Sequence, residues 1–134
     1  MKDFTLNLDY WELLNLHKAL LEAKFHENPD NELVSGSPLI ADVYIQVRDL
    51  LIQSGRQSGW EAFFQLKNRP DYKKRAMTRM ANDSRWEKSS DDEKRKIAGD
   101  YLAPFLYDEG ELTEVVTETE FLFREQAISQ LPHA

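Results

Sequence analysis

The chain has 134 residues, of which 41% are hydrophobic and 31% are charged, and its formal net charge is −7. This composition is typical of a globular protein rather than a disordered one, and the length suffices for one core without cross-links. Because the chain contains no cysteine, disulfides, thiolate metal sites and thiol nucleophiles are excluded. We expect a single domain spanning residues 1–134.

The sequence predicts a protein that does not enter membranes. The first fourteen residues, MKDFTLNLDYWELL, lack the uninterrupted apolar core of a signal peptide. No stretch approaches the roughly 18 consecutive apolar residues of a membrane-spanning helix. We therefore expect a soluble, cytoplasmic protein, for which the absence of cysteine also fits a reducing compartment.

Charge is distributed unevenly along the chain. Residues 1–55 contain four Lys or Arg against nine Asp or Glu, and residues 97–134 contain one against eight. Residues 56–96 reverse this balance with twelve against seven, a net charge of +5. Such an asymmetry is evidence about partners rather than about the fold.

Residues 10–26 are predicted to form the first long helix. Asp9 and Glu12 have the spacing of a capping box, so we expect the helix to begin at Tyr10. Its apolar residues recur at steps of three and four, as on one helical face. These residues are Tyr10, Leu13, Leu14, His17, Leu20 and Leu21, with Trp11, Leu16 and Phe25 at the margins. Residues 26–37 are predicted to be a loop.

Residues 38–53 are predicted to form the second long helix. Ser37 suits the cap, Pro38 the first helical position, and Gly55 the end. The apolar stripe comprises Ile40, Val43, Tyr44, Val47, Leu50 and Leu51. We expect the two long helices to form an antiparallel pair that buries a large part of the core.

Three shorter helices are predicted in the middle of the chain. Ser58 and Glu61 resemble a capping box before a short aromatic segment, and Ser90 and Glu93 resemble another before a helix that ends ahead of Pro104. Between them, a helix over residues 70–82 would place Tyr72, Ala76, Met77 and Met80 inward. The same helix would place Lys74, Arg75, Thr78 and Arg79 outward, with Lys73 near the apolar side.

Residues 112–124 fit two structures. As a helix they place Leu112, Val115, Val116, Thr119, Leu122 and Phe123 on one arc. As a strand they alternate Thr, Val and Phe with charged residues, and could pair with the alternating residues 3–8. We prefer the helix and expect an all-α, compact bundle of about five or six helices around the long pair. A mostly α fold with a small N- and C-terminal β pairing is the alternative.

Catalytic motifs are absent: the chain contains no HExxH, GxSxG or GxxxxGK[ST]. His17 lies within an apolar stripe, where it is more typical of a hydrogen-bonded core residue than of a base or ligand. Glu22 and His26, four residues apart, could share a metal only with a third ligand from elsewhere. We therefore predict no catalytic residue, cofactor or metal, and keep an enzyme or metal site at these positions as a second alternative.

The basic middle supplies an alternative function, nucleic-acid binding by the basic face of residues 67–88. Cations neutralise phosphates and neighbouring aromatic rings stack on bases. The candidate residues are Lys67, Arg69, Lys74, Arg75, Arg79 and Arg85. Because amphipathic helices ordinarily carry such charges as a solvated face, we do not favour this interpretation.

The acidic C-terminal segment favours a different function. Its residues combine acidic charge, which selects basic partners, with large apolar residues that point away from the inner arc. They are Glu114, Glu118, Phe121, Glu125 and Ile128. We expect a small non-catalytic protein-interaction module of the adaptor, regulator or inhibitor type. Acidic and basic surfaces on one chain also allow a homo-oligomer.

Overall fold

The computed structural model describes residues 3–26, 32–56 and 58–129. Within these ranges all regular structure is helical, so the predicted all-α bundle of five or six helices is confirmed and the β pairing is not formed. The five longer helices are α1 Tyr10–Phe25, α3 Pro38–Ser54, α5 Pro70–Ala81, α6 Asp91–Leu102 and α7 Glu109–Ser129. Two four-residue helices, α2 Glu32–Ser35 and α4 Trp60–Phe63, and a 3₁₀ turn, Leu66–Asn68, connect them.

Reciprocal capping boxes begin α1 and α6, as predicted. The Asp9 carboxylate accepts a hydrogen bond from the Glu12 backbone N–H at 2.8 Å, and the Glu12 carboxylate accepts from Asp9 N–H at 3.1 Å. Ser90 and Glu93 exchange the same two bonds at 3.2 Å. Each pair satisfies backbone donors that a helix start otherwise leaves unpaired.

The start of α4 differs from the prediction. Gly59, with φ of 106°, precedes α4, and no side chain caps it. The expected capping box of Ser58 and Glu61 is therefore wrong, because the left-handed backbone at Gly59 sets the helix start one residue later than a Ser58 cap requires. By contrast, Ser37 caps α3 through the Ile40 N–H, and the left-handed Gly55 ends it, both as predicted.

Helices α1 and α3 pack as the expected antiparallel pair. Near one end, Trp60 Nε1, just after α3, donates to the Tyr10 hydroxyl at the start of α1. Near the other end, the Ser35 hydroxyl, just before α3, donates to the Lys24 carbonyl late in α1. Helix α5 makes a second extensive contact with α7, and α6 packs against both. The bundle is therefore built around two helix pairs rather than one.

The apolar stripes are narrower than the sequence indicates. Trp11, Val43 and Leu50 were expected at the α1–α3 contact but are 61%, 44% and 52% exposed. Residues 3–8 form no strand, and Phe4 and Leu6 are exposed. The predicted loop over residues 26–37 is wrong at Glu32–Ser35, where α2 forms, while residues 27–31 lie outside the described residues.

The core connects all five longer helices. It includes Trp86, which lies between α5 and α6 and has no exposed surface. The Trp86 indole N–H donates to the Glu120 carboxylate on α7 at 2.7 Å, which satisfies its polar atom. In the described part of the chain, no helix combines the length and apolar character that crossing a membrane requires.

Candidate interaction surface

Helices α5 and α7 border a surface groove of about 600 Å³. Residues three, four and seven apart on α7 share one side of that helix, so several of them line the groove together. The lining includes Lys73, Lys74 and Met77 from α5 and Glu118, Phe121 and Glu125 from α7. The groove therefore combines residues of the basic middle with residues of the acidic C-terminal segment.

Phe121 is the most exposed large apolar residue of the groove. Its side chain is 68% exposed, whereas Met77 beside it is buried and Leu122 is half-buried. Phe121 also borders a second hollow, of about 380 Å³, between α6 and α7. The ring thus stands between two concave surfaces, and its apolar area is continuous with the groove rather than isolated.

Met77, Phe121 and Leu122 form an apolar strip along the groove, and four charged side chains lie on its two sides. Lys73 and Lys74 lie on the α5 side, and Glu118 and Glu125 lie on the α7 side. Within the described ranges, the observed ion pairs involve none of these four residues. Nearby Glu120 behaves differently, because Lys94 Nζ contacts its carboxylate at 3.0 Å. The groove charges are available to a partner without breaking an internal pair.

The structure separates the predicted acidic set into two groups. Glu118, Phe121 and Glu125 line the groove, but Glu114 and Ile128 do not. Both of the latter are exposed, Ile128 to 68%. They lie seven residues before and after Phe121, which places all three on one side of α7. Phe121 and Ile128 point away from the core, as the helical interpretation predicts.

The predicted basic set does not form one surface. Lys67 and Lys74 are exposed, but three arginines are engaged within the chain. The Arg69 guanidinium lies 4.0 Å from the centre of the Phe63 ring, and Arg75 donates to the Phe25 carbonyl at 3.0 Å. Arg85 pairs with Asp83. Lys74 alone among the six lines the groove.

Arg79 was expected to point outward, but its side chain is only 8% exposed. It donates through Nη1 to the Ser35 hydroxyl at 3.1 Å, while its Nη2 is buried and has no hydrogen-bond partner within the described ranges. Lys24 is also buried, and its Nζ donates to the Asp100 carbonyl at 2.6 Å. Burial lowers the pKa of Lys24 to about 7; the negative charge of Asp100 opposes this shift and the positive charge of Arg79 adds to it. These cations belong to the interior.

Asp83 is the best-satisfied charge of the interior. Its side chain is fully buried and accepts hydrogen bonds from Arg85 Nη2 at 2.8 Å, Arg85 Nε at 3.0 Å and the Tyr101 hydroxyl at 2.7 Å. Burial alone would raise the pKa of Asp83, but the bonds from Arg85 and Tyr101 hold it well below its ordinary value. This arrangement joins the end of α5 to α6.

His17 is enclosed by aromatic rings rather than by leucines. The ring is 3% exposed, and its centre lies 5.2 to 5.6 Å from those of Tyr44, Trp60, Phe63 and Phe64. The Tyr44 hydroxyl lies 2.7 Å from Nδ1. Burial, with the positive charge of Lys18, lowers the pKa of His17 to about 4, so the imidazole is neutral at pH 7. It borders a hollow of about 630 Å³.

Glu22 and His26 form a surface pair. Their carboxylate and imidazole nitrogen lie 3.4 Å apart, and both side chains are at least half exposed. In the described residues, no group of three His, Asp or Glu side chains converges as a metal site requires. The pair therefore supplies two ligand groups at the end of α1, and the described residues add no third.

The burial of Lys24 and Arg79 was not predicted, although their helical spacing indicates it. Lys24 continues the series His17, Leu20 and Leu21, which places it on the inner face of α1. Arg79 lies three residues after buried Ala76 and next to buried Met80. Residue type argued against burial at both positions.

Comparison with known proteins adds no further evidence on the surface. The chain matches no protein-family model, and comparisons with curated proteins and with solved structures gave no match.

Proposed function

We propose that this chain is a non-catalytic protein-interaction module of the adaptor, regulator or inhibitor type, and that a protein partner docks at the α5–α7 groove. The observation that carries the proposal is the 68% exposed Phe121 beside a groove bordered by four charges that form no ion pair with another described residue. A cytoplasmic location is part of the proposal, since a chain without cysteine suits a reducing compartment.

The groove has the composition of a small binding surface. Large aromatic residues in partly enclosed positions contribute most of the free energy of association, and surrounding charges select the partner. Phe121 would serve as the apolar anchor. Lys74 on one side and Glu118 on the other would orient the partner, because each attracts an opposite charge.

Affinity capture with matched variants tests the proposal. Wild-type protein should retain its partner, whereas Phe121→Ala and Glu118→Lys should each weaken retention. Trp11→Ala is the control, because Trp11 is a similarly exposed aromatic residue on α1 and does not line the groove. A partner retained equally by all variants would place the interface elsewhere.

Nucleic-acid binding by residues 67–88 has less support, since only part of the basic set is exposed and unengaged. Lys67 and Lys74 are the residues to test, and Lys67→Glu/Lys74→Glu should abolish salt-sensitive retention of an RNA oligonucleotide if that function is correct. Catalysis at His17 has a similar weakness. The neutral, ring-enclosed imidazole borders a hollow, but the hydroxyl that it contacts is that of Tyr44, which is fully buried and whose pKa is raised by burial.

A further inference from the structure

We propose that the partner at the α5–α7 groove is a second copy of this chain, joined by a two-fold axis that runs along the groove. The inference rests on the proposed function of the groove and names its partner. It is based on the arrangement of charge and shape around Phe121.

The charges of the groove are self-complementary in one orientation. Lys73 and Lys74 lie on one side of the apolar strip, and Glu118 and Glu125 lie on the other. A two-fold rotation about an axis along the strip exchanges the two sides, so the lysines of each copy face the glutamates of the other. An axis across the strip would instead bring like charges together. Charge therefore selects a dimer in which the two α7 helices run parallel.

The shape of the surface fits the same symmetry. In a two-fold interface, each copy presents the same patch, so a projecting residue must find its cavity on an identical surface. Phe121 projects with 68% of its side chain exposed, and the adjacent groove provides about 600 Å³. Each Phe121 ring would enter the groove of the other copy and cover the partly buried Leu122.

Local pairing must overcome the overall repulsion between two chains that each carry −7. At physiological ionic strength, charges separated by more than about 8 Å are largely screened, whereas contacting pairs are screened less. Among the described residues, the four groove charges also have no ion pair to lose on association. Dimerisation is therefore expected to depend on the groove charges and to weaken at high salt.

Sedimentation equilibrium of charge-reversed variants tests this inference. Wild type should approach twice the mass of one chain, and both Lys73→Glu/Lys74→Glu and Glu118→Lys/Glu125→Lys should remain monomeric. An equimolar mixture of the two variants should recover the dimer, because every groove contact in the mixed pair is again between opposite charges. A single chain with all four substitutions should also dimerise.

Matched controls separate the groove from net charge and from folding. Lys67→Glu/Lys88→Glu and Glu61→Lys/Glu87→Lys change the total charge equally at exposed positions that do not line the groove, and should dimerise like wild type. Far-ultraviolet circular dichroism checks that each variant is helical. If these control variants sedimented as monomers, the assignment of the dimer interface to the groove would be overturned.

Two other results would also overturn the inference. A wild type that stays monomeric at every concentration contradicts self-association, yet Phe121-dependent capture of a different protein would leave the proposed function intact. A wild-type dimer that persists in both groove variants would place self-association on another face. If capture also proved independent of Phe121, the proposed function would fail separately.

Discussion

The α5–α7 groove and the interior cluster use charge in opposite ways, although helix α5 contributes to both. The interior cluster comprises the buried charges of Lys24, Arg79 and Asp83, with Arg85 and Tyr101 bonded to Asp83. On one side of α5, Arg79 is buried against Ser35, in an interior that also holds Lys24 and Asp83. On another side, Lys73 and Lys74 border the groove and take part in no observed internal ion pair in the described chain. The same basic segment therefore stabilises the fold through some residues and leaves others for a partner. Substitutions should separate these two roles.

Removing the Asp83 carboxylate should have the largest effect on stability. Asp83→Ala leaves the Arg85 guanidinium and the buried Tyr101 hydroxyl without their shared acceptor, and we expect a loss of about 3 kcal/mol in the free energy of unfolding. Chemical denaturation measures the change. Glu87→Ala, at an exposed carboxylate, should alter it by less than about 0.5 kcal/mol. If Asp83→Ala lowered the free energy of unfolding no more than Glu87→Ala does, the bonds to Asp83 would not be stabilising the fold.

The buried Lys24 should make stability depend on pH above neutrality. Folding lowers the pKa of Lys24 from 10.5 to about 7, so the unfolded state binds more protons between these values. The free energy of unfolding therefore rises with pH through this window, by up to about 1.4 kcal/mol per pH unit from this group. Lys24→Met should remove that contribution.

Denaturation at several pH values between 7 and 10 measures the slope. Lys18→Met is the control, because Lys18 is an exposed lysine of the same helix and its loss should leave the slope unchanged. Other titrating groups, including Tyr44, are common to both variants. Identical slopes in wild type and Lys24→Met would contradict a buried lysine with a lowered pKa.

A smaller change should stabilise the interior face of α7. Thr119 has no exposed surface, and its hydroxyl has no hydrogen-bond partner among the residues that the structure describes. Thr119→Val replaces this hydroxyl with a methyl group of similar size, and we expect a gain of about 1 kcal/mol. Thr117→Val should gain nothing, because Thr117 is exposed and its hydroxyl donates to the Thr113 carbonyl at 2.9 Å. Thermal unfolding compares the two, and a loss at Thr119 would reveal a hydrogen bond there.

The smallest stability effect is expected at the groove. Phe121→Ala removes an exposed ring and should change the free energy of unfolding of the monomer by less than about 0.5 kcal/mol, while abolishing dimerisation. Because dimerisation itself stabilises the folded state, denaturation is compared at concentrations at which sedimentation shows both proteins to be monomeric. Trp11→Ala should leave both nearly unchanged. A large loss of stability in Phe121→Ala at these monomeric concentrations would mean that the ring belongs to the fold rather than to an interface.

The sequence was most informative where local chemistry decides structure. Capping residues located the starts of α1, α3 and α6, and the apolar period identified α7 as a helix. The predicted segment 112–124 begins three residues after Glu109, where α7 starts. Asp108 and Glu111 there exchange hydrogen bonds with the same spacing as the other capping boxes, so this signal was present in the sequence.

Features that join distant segments could not be predicted in the same way. The burial of Arg79 depends on Ser35, which lies 44 positions earlier in the chain. The position of Lys74 in the same groove as Glu118 depends on how α5 packs against α7, and neither helix period determines that packing. The helical period therefore predicted that Phe121 is exposed, but only the fold combines it with a basic side and an acidic side.

The most direct test of the separation between groove and interior is a dilution series followed by amide chemical shifts in nuclear magnetic resonance. Self-association through the groove predicts concentration-dependent shifts concentrated at residues 70–78 and 117–125. Amides of the interior cluster, such as those of Asp83 and Tyr101, should remain constant. Shifts that are absent at all concentrations, or that concentrate at residues 3–8 or along α1, would contradict the assignment of the free charges and Phe121 to a dimer interface.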